Sequence, residues 1–293
     1  MHENPKQEKK RGSERKGHSI GGLYCFGGFD GIDGIKNAVL PLFLVACMIF
    51  CAVWIYEEAS SQYQWQWARV WRYFGTFGTD ITQFNPGLLL DGLGITLLLI
   101  FSGLIFSIFF AVLLVMMKLC QSPVLTAVSQ GIISLIRNTP LLIQLFLWYF
   151  VIAALFGLNP FLTAVLCLAL FEGVYLAEIL RSGIMAISHT QWEASFSLGM
   201  TLPKTLLYVI MPQVLRNVLP SLAGQFISLI KDTSLVSAIA VADLTMQART
   251  IISETYLSFE IWLLVACLYF VQTLFVLIPF SLLTKHFAKQ YQK

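Results

Sequence analysis

The residue best placed to do chemistry is Glu172, which lies in the middle of the apolar run LCLALFEGVYLAEIL. An ionisable side chain inside such a run carries a free-energy penalty on the order of a few kcal/mol unless it is paired or faces a cavity. The next residue, Gly173, adds no side-chain bulk. Two interpretations follow: the carboxyl group holds helices together through a hydrogen bond, or it lines a cavity that receives a charged small molecule.

Two further pairs of charged residues border apolar runs. Glu178 and Arg181 are three residues apart, which places them on one helix face, and we interpret them as a structural pair or a gate. Lys231 and Asp232 stand at the far end of a later apolar run. We interpret them as an ion pair at the membrane interface that shapes the outward side.

The segment Asn138-Thr139-Pro140 interrupts another apolar run. Proline removes a backbone donor and disfavours a helical residue before it, so the segment predicts a broken helix with freed backbone groups. In membrane proteins such groups are tolerated where they line a cavity. Asn138, Thr139 and Gln144 are therefore candidates for the same cavity as Glu172.

Several kinds of chemistry have no support in the chain. The phosphate-binding pattern GxxxxGK[ST] does not occur, nor does any Gly-Lys dipeptide. The histidines are dispersed, and the cysteines have no metal-binding or disulfide spacing, so we interpret them as buried thiols. A net charge of +3 is too small to argue for nucleic acid. We expect neither a catalytic site nor a metal site.

The amino-acid composition indicates whether this chain folds in water or in a lipid bilayer. Of its 293 residues 57% are hydrophobic and 12% are charged, whereas ordinary globular domains carry about 25% charged residues. Long apolar runs with few charges indicate an all-α integral membrane protein. The predicted spans cover about residues 37–56, 88–117, 132–156, 161–180, 214–232 and 260–283.

The remaining segments are assigned by composition. Residues 1–36 are polar, basic and then glycine-rich, which predicts a cytoplasmic tail. The span at 37–56 is interpreted as a retained helix, because no small-residue cleavage site follows it. Residues 57–87 are rich in tryptophan and predict an extracytoplasmic segment at the membrane interface. The moderately apolar region 233–258 predicts a short helix or re-entrant segment, and 286–293 a cytoplasmic tail.

Basic residues set the orientation of these six spans. With the N-terminus in the cytoplasm, fifteen Lys and Arg residues fall on the cytoplasmic side and four on the other. Because Lys and Arg are concentrated in cytoplasmic loops, both termini are predicted to be cytoplasmic. The four on the outer side are Arg69, Arg72, Lys231 and Arg249.

The same orientation puts the polar stretch 188–213, SHTQWEASFSLGMTLPKTLLYVIMPQ, in the cytoplasm. Residues 191–198 can form two helical turns, and Gly199 lets the backbone turn sharply. A second short helix is expected to begin at Pro203 and to end near Pro212. The predicted product is a compact knob that seats in a cleft of a cytoplasmic partner; the alternative is an amphipathic segment on the membrane surface. One helix face carries Trp192, Phe196 and Met200.

This stretch resembles the EAA loop of bacterial ATP-binding-cassette importer permeases. The family pattern is EAA, three residues, Gly, nine residues, Ile, any residue, and Leu-Pro. Its spacing is kept in full here, with conservative departures at Ser195, Val209 and Met211, and Thr190 stands where glycine is frequent. The matching positions are Glu193-Ala194-Ser195, Gly199, Val209 and Met211-Pro212.

Three more segments are similar to the polar amino acid importers among these permeases. They are SLIRNTPLLIQL at 134–145, the pattern Tyr175-x-Ala177-Glu178-x-x-Arg181-x-Gly183, and SLIKDTSL at 228–235. The resemblance covers roughly residues 88–285. It implies a five-helix core of the type I importer permeases, to which the helix at 37–56 is an addition.

The resemblance also implies function and partners. Such a chain is the permease subunit of an ATP-driven importer in the bacterial inner membrane, and it is not itself an enzyme. Its partners are ATPase subunits that bind ATP-Mg, a second permease (a copy or a homologue) and an extracytoplasmic solute-binding protein. Glu172, with Asn138, Thr139 and Gln144, would line the amino acid pathway, and Glu172 would pair with the substrate ammonium. The ATPase-docking residues would be Gln191, Trp192, Glu193, Ala194, Ser195, Gly199 and Pro212.

A function of a different class is also considered for this sequence. A stand-alone secondary transporter or channel would be coupled to an ion gradient. That class favours a longer chain with internal repeats and more intramembrane charges, and this sequence has neither feature.

Overall fold

The computed structural model describes residues 43, 45–51, 53–54, 57–58, 63–77, 84–120 and 122–291, and it describes their side chains up to residue 284 except at Phe84. It divides into two compact units, Met1–Trp65 and Gln66–Lys293. In the first unit, residues 45–51 and 53–54 are helical, which agrees with part of the span predicted at 37–56. The rest of that span and the predicted tail 1–36 lie outside the described residues. The domain boundaries read from the sequence stay predictions.

The second unit opens with a short packed segment. Helix α1 (Trp67–Val70) and one 3-10 turn (Trp71–Tyr73) lead into a two-stranded antiparallel hairpin of β1 (Gly75–Phe77) and β2 (Phe84–Pro86). The backbone N–H of Gln66 donates to the Glu260 carboxylate at 2.8 Å, and Val70 is buried among apolar residues of the last helix. The start of this unit, at Gln66 and Val70, is therefore anchored to the helix that begins at Ser258.

Among the residues that the structure describes, four helices are long and apolar enough to cross a membrane by length and composition. They are α2 (Leu88–Leu119), α6 (Pro160–Met185), the continuous helical stretch Leu202–Ile239, and Ser258–Thr284 within α11 (Ser258–Tyr291). They coincide with the predicted spans at 88–117, 161–180, 214–232 and 260–283. The all-α membrane fold expected from the sequence is confirmed.

The span predicted at 132–156 is broken, as the interruption at Asn138-Thr139-Pro140 predicts. The structure has α3 (Pro123–Arg137) and α4 (Leu141–Leu147), the latter continuing through a π turn (Trp148–Ala153) into α5 (Ala154–Phe156). The two parts are bent by 106°. The bend follows from Pro140, and α3 begins nine residues earlier than predicted because Pro123 is favoured in a first helical turn.

Helix α6 is the centre of the packed unit. Glycines let its neighbours approach closely, as is usual between membrane helices. A Cβ at Gly173 would lie 2.8 Å from Phe110 Cβ and 3.0 Å from the Ser107 carbonyl oxygen of α2. At the other end of α6, a Cβ at Gly183 would collide with the Val218 side chain of the following long helix. Helix α6 is thus closely packed against α2 near Gly173 and against the following long helix near Gly183.

The region 233–258 begins with the end of the long helical stretch and continues into the short helix that the sequence predicts. A 3-10 segment (Thr233–Ile239) is followed by α10 (Leu244–Thr255), which Asp243 caps by accepting from the Met246 N–H at 2.9 Å. Asp243 is fully buried. Burial raises the pKa of this carboxyl, and hydrogen bonds from Met246, Thr245 and Tyr269 oppose that rise.

Candidate translocation and docking sites

Glu172 lies at the contact between α6 and the helix α9 (Met211–Asp232), and it is only 1% exposed. Its Oε2 accepts a hydrogen bond from Gln225 Nε2 at 2.6 Å. Its Oε1 is buried and has no hydrogen-bond partner. One carboxyl oxygen of Glu172 therefore joins two helices through a hydrogen bond, as one interpretation of the sequence expects. The other oxygen can accept a further hydrogen bond.

Asp232 was expected to pair with Lys231, and that expectation is wrong. Neighbouring residues on a helix point in different directions, and no salt bridge between them occurs in the described part of the chain. Asp232 is half-buried at the end of α9.

Asn138, Thr139 and Gln144 lie at the bend between α3 and α4. Gln144 Nε2 donates to the Thr139 Oγ1 at 2.7 Å and to the carbonyl oxygens of Ile136 and Thr139 at 2.9 and 3.1 Å. Asn138 Nδ2 donates to the Ser134 carbonyl at 2.8 Å. These side chains satisfy backbone groups freed by the bend. Among the described residues, no hydrogen bond joins them to Glu172.

The predicted pair Glu178–Arg181 is present and belongs to a larger ion cluster. Arg181 Nη2 lies 3.2 Å from Glu178 Oε2, and Lys118 Nζ of α2 lies 2.6 Å from Oε1. Arg137 of α3 approaches Oε2 at 3.9 Å and stacks over the Tyr175 ring at 5.5 Å. The count of Lys and Arg placed Lys118, Arg137 and Arg181 on one side of the membrane, and this is the signal from which the cluster could have been inferred.

A cavity of about 420 Å³ opens beside this cluster. Polar groups of three helices line it, so it tolerates ions or water at the predicted cytoplasmic end of the bundle. No group of three His, Cys, Asp or Glu side chains in the described ranges could hold a metal ion. Its polar lining residues are Lys118, Thr126, Gln130, Glu178 and Arg181.

The predicted knob begins with helix α7 (His189–Ser197), as expected. Gly199 follows it with φ of +74°, the left-handed conformation in which glycine is favoured. The N–H of Gly199 donates to the Phe196 carbonyl at 2.9 Å and that of Met200 to the Ser195 carbonyl at 3.2 Å. This pair of bonds is the Schellman arrangement that ends helices. The sharp turn predicted at Gly199 is confirmed.

The side chains of α7 divide between the core and the outside. Trp192 packs against the core and Ser195 is buried, with its hydroxyl donating to the Gln191 carbonyl at 2.8 Å. Glu193 is exposed and lies 3.2 Å from His189, while Ala194 is exposed. The apolar face expected from Trp192, Phe196 and Met200 is therefore divided, because Trp192 contacts the core whereas Phe196 is exposed. The large exposed apolar side chains between residues 193 and 202 are Phe196, Leu198 and Leu202.

The second helix of the knob does not end near Pro212, contrary to the sequence prediction. Helix α8 (Leu202–Lys204) continues through a π turn (Thr205–Ile210) directly into α9, with Pro212 in the first turn of α9. A proline is tolerated at the start of a helical segment, where its missing N–H removes no bond of the preceding α ladder. Gln213 Nε2 also donates to the Val209 carbonyl at 2.8 Å and to Gln191 Oε1 at 3.3 Å. These bonds join the knob to α9.

Comparisons with known proteins fit this architecture. Residues 103–292 match the family model described as binding-protein-dependent transport system inner membrane component. A probable amino-acid ABC transporter permease of Vibrio harveyi, PatM, is 40% identical over 186 residues, which is 62% of this chain and 83% of that protein. The L-cystine transport system permease TcyB of Bacillus subtilis is 40% identical over 183 residues, 60% of this chain and 78% of that protein.

Solved structures agree with the sequence relatives. The crystal structure of an amino acid ABC transporter with histidines superposes with a TM-score of 0.62 at 39% identity, covering 68% of this chain and 94% of that chain. A membrane subunit in an inward-facing structure of the MetNI methionine ABC transporter has the same fold, with a TM-score of 0.58 at 18% identity over 68% of this chain and 95% of that one. These comparisons do not support a stand-alone secondary transporter. The chain belongs to the family of inner-membrane components of binding-protein-dependent transport systems and is a permease subunit of an ABC importer.

Proposed function

We propose that this permease carries polar amino acids across the inner membrane and that Glu172 binds the substrate ammonium. The observation that supports the proposal is the buried Glu172 carboxyl, with one oxygen held by Gln225 and Oε1 without a partner. A carboxylate in that setting is an acceptor for a charged donor. The amino acid relatives PatM and TcyB make an α-amino acid the natural ligand.

The ATPase docks on the knob formed by α7 and the turn at Gly199. Its surface offers Phe196 and Leu198, which are 47% and 82% exposed, next to the Glu193 carboxylate. Apolar anchors rimmed by charge suit a cleft in a partner protein. ATP is bound and hydrolysed by that partner, while this chain supplies the pathway together with a second permease and receives substrate from a solute-binding protein.

Both termini lie in the cytoplasm in this proposal, on the side of the knob. The excess of Lys and Arg on that side supports the orientation. A reporter fused after Lys293 and one placed near His18 should both read cytoplasmic, whereas one inserted near Gln62 should read external. Opposite sidedness of the two termini would contradict the six-span topology.

Reconstitution tests the substrate assignment. The permease is assembled in liposomes with its ATPase and binding protein. Labelled amino acids should be taken up only when ATP is present on the side of the membrane that carries the ATPase. Glu172→Gln keeps size and loses charge; losing a hydrogen bond to a charged group costs about 1.5–3 kcal/mol, which is about ten- to a hundredfold in affinity. The variant should assemble and hydrolyse ATP but transport poorly at low substrate concentration.

The matched control for this variant is Glu254→Gln, which makes the same change at an exposed position outside the predicted spans. It should behave as wild type in uptake and in assembly. If Glu172→Gln leaves both uptake and complex yield unchanged, Glu172 does not contact substrate. If the yield alone falls, the carboxyl is structural.

A further inference from the structure

The ion cluster around Glu178 carries more positive than negative charge. Lys118 Nζ and Arg181 Nη2 lie 2.6 and 3.2 Å from its two carboxyl oxygens, and Arg137 Nη1 lies 3.9 Å from Oε2. Among the described residues, Glu178 is the acidic partner of all three, and no second carboxylate forms a salt bridge with them. One negative charge balances one of three cations, so two positive charges remain at this end of the bundle.

These cations are partly withdrawn from water. The side chain of Lys118 is 11% exposed and that of Arg181 is 34% exposed. A charge that loses water without gaining a counterion carries a free-energy penalty, and an anion that reaches both side chains lowers it. The cavity of about 420 Å³ gives an anion that access, because Lys118 and Arg181 both line it.

A second cavity adds backbone donors to these cations. Its volume is about 520 Å³, and it shares Thr126 and Gln130 with the first cavity, so the two are adjacent. It is also lined by Ser122 and Pro123, where the 15-residue helix α3 begins. The first N–H groups of a helix have no carbonyl partner within it, and no described side chain caps α3. Such a helix end attracts phosphate groups.

Apolar side chains border the same two cavities. Leu119 and Met185 line the first cavity and are both exposed, and Val124, which follows Pro123, is exposed as well. In a membrane such side chains contact acyl chains. A free phosphate ion leaves this surface uncovered, whereas a phospholipid covers it with its acyl chains and places its phosphate among the cations. The combination therefore favours a lipid over a soluble anion.

We propose that an anionic phospholipid of the cytoplasmic leaflet binds between α2, α3 and α6. Its phosphate lies among Lys118, Arg181 and the first turn of α3, and its acyl chains lie against Leu119 and Met185. Basic pockets between transmembrane helices on the cytoplasmic side are suited to anionic head groups. The inference does not depend on which amino acid the permease carries.

Gln130 is the position that tests the proposal with least disturbance. It lines both cavities, is exposed and does not belong to the ion cluster. Its amide nitrogen lies 3.5 Å from the Ser134 hydroxyl, a weak contact whose loss should change the fold little. Gln130→Glu adds a negative charge to the site and Gln130→Lys adds a positive one. A damaged fold would weaken lipid binding in both variants, whereas a charge effect has opposite signs.

The experiment measures which lipid the purified permease–ATPase complex retains. The complex is incubated with phosphatidylglycerol and phosphatidylcholine of identical acyl chains and passed through gel filtration, and the retained lipids are quantified by mass spectrometry. The wild type should prefer phosphatidylglycerol. One charge near an anionic lipid is worth about 1 kcal/mol, which is about fivefold in affinity. The preference should therefore fall about fivefold in Gln130→Glu and rise about fivefold in Gln130→Lys. Gln64→Glu, the same change at an exposed position in the predicted outer segment, should keep it.

A second arm separates a lipid from a free anion. Millimolar inorganic phosphate, compared with chloride at equal ionic strength, should leave phosphatidylglycerol retention unchanged, because phosphate has no acyl chains to cover the apolar border. Displacement of the lipid by phosphate would assign the cavities to a soluble anion and overturn the proposal. Equal retention of the two lipids by the wild type would overturn it without any variant. A change of the same sign in both Gln130 variants would do so as well.

Discussion

Replacing Gly199 tests whether the left-handed turn of the knob is required for docking. Its φ of +74° is unfavourable for residues with a side chain, and an added Cβ would meet nothing within 4 Å in this chain. The effect of a substitution is therefore confined to the backbone and to the partner. For an ordinary L-residue the left-handed region costs about 1–2 kcal/mol, and a β-branched residue is especially unsuited to it.

Gly199→Val should therefore lower the population of the docking-competent knob. A change of about 1–2 kcal/mol corresponds to about a 5- to 30-fold change in an equilibrium, and apparent affinity falls in proportion to the competent fraction. Titration of purified ATPase onto the permease in nanodiscs should show this loss, with a matching loss of uptake when ATPase is limiting. Gly199→Asn is the matched control, because asparagine adopts the left-handed region more readily.

A larger side chain separates strain from partner contact. The Cβ of a tryptophan at position 199 would meet nothing within 4 Å in this chain, so a loss of affinity well beyond that of Gly199→Val is expected if the indole collides with the ATPase. Thermal unfolding of the three variants should be similar, because the turn is exposed. Wild-type affinity and uptake in Gly199→Val would contradict the need for the turn. Normal transport by Gly199→Trp would remove the docking assignment altogether.

Two further substitutions address the packed bundle, each followed by thermal unfolding of the purified permease. Gly173→Ala should push α6 away from α2, because the added Cβ would lie 2.8 Å from the Cβ of Phe110. Overpacking of this kind lowers the free energy of unfolding by about 1–3 kcal/mol. Gly94→Ala is the control and should be neutral, because a Cβ at position 94 would have no neighbouring atom within 4 Å. Equal melting temperatures of the Gly173→Ala and Gly94→Ala variants would contradict the close approach of α6 and α2. Glu178→Gln leaves Lys118, whose side chain is 11% exposed, without its carboxylate. A loss of about 1–3 kcal/mol is expected, and no loss relative to Glu254→Gln would mean that the cluster is not stabilising.

The features that the sequence predicted correctly are local ones. Apolar run length fixed the long helices, since a helix rises about 1.5 Å per residue and must cross about 30 Å of hydrocarbon. Glycine and proline marked the turn at Gly199 and the bend at Pro140, because their backbone restrictions act within a few residues. The pair Glu178–Arg181 followed from helical spacing alone.

The features that were missed depend on packing or on non-standard helices. Pro212 was expected to end a helix, but the π turn before it changed the hydrogen-bond register. The bend after α3 has an angle of 106°, which no sequence pattern specifies. The hydrogen-bond partner of Glu172 is Gln225, which lies 53 residues later in the chain and reaches Glu172 only because α6 and α9 pack together.

This packing also relates the knob to Glu172. Helix α9 begins at the knob, where Gln213 binds Gln191, and ends at Asp232. Helix α6 lies against it near the knob at Gly183 and again at Glu172, which accepts from Gln225. Close packing leaves helices few ways to move except as rigid bodies. If the ATPase docks on the knob as proposed, we expect a displacement of the knob to pass along α9 to the hydrogen bond between Gln225 and Glu172, which changes only if α9 slides or rotates against α6.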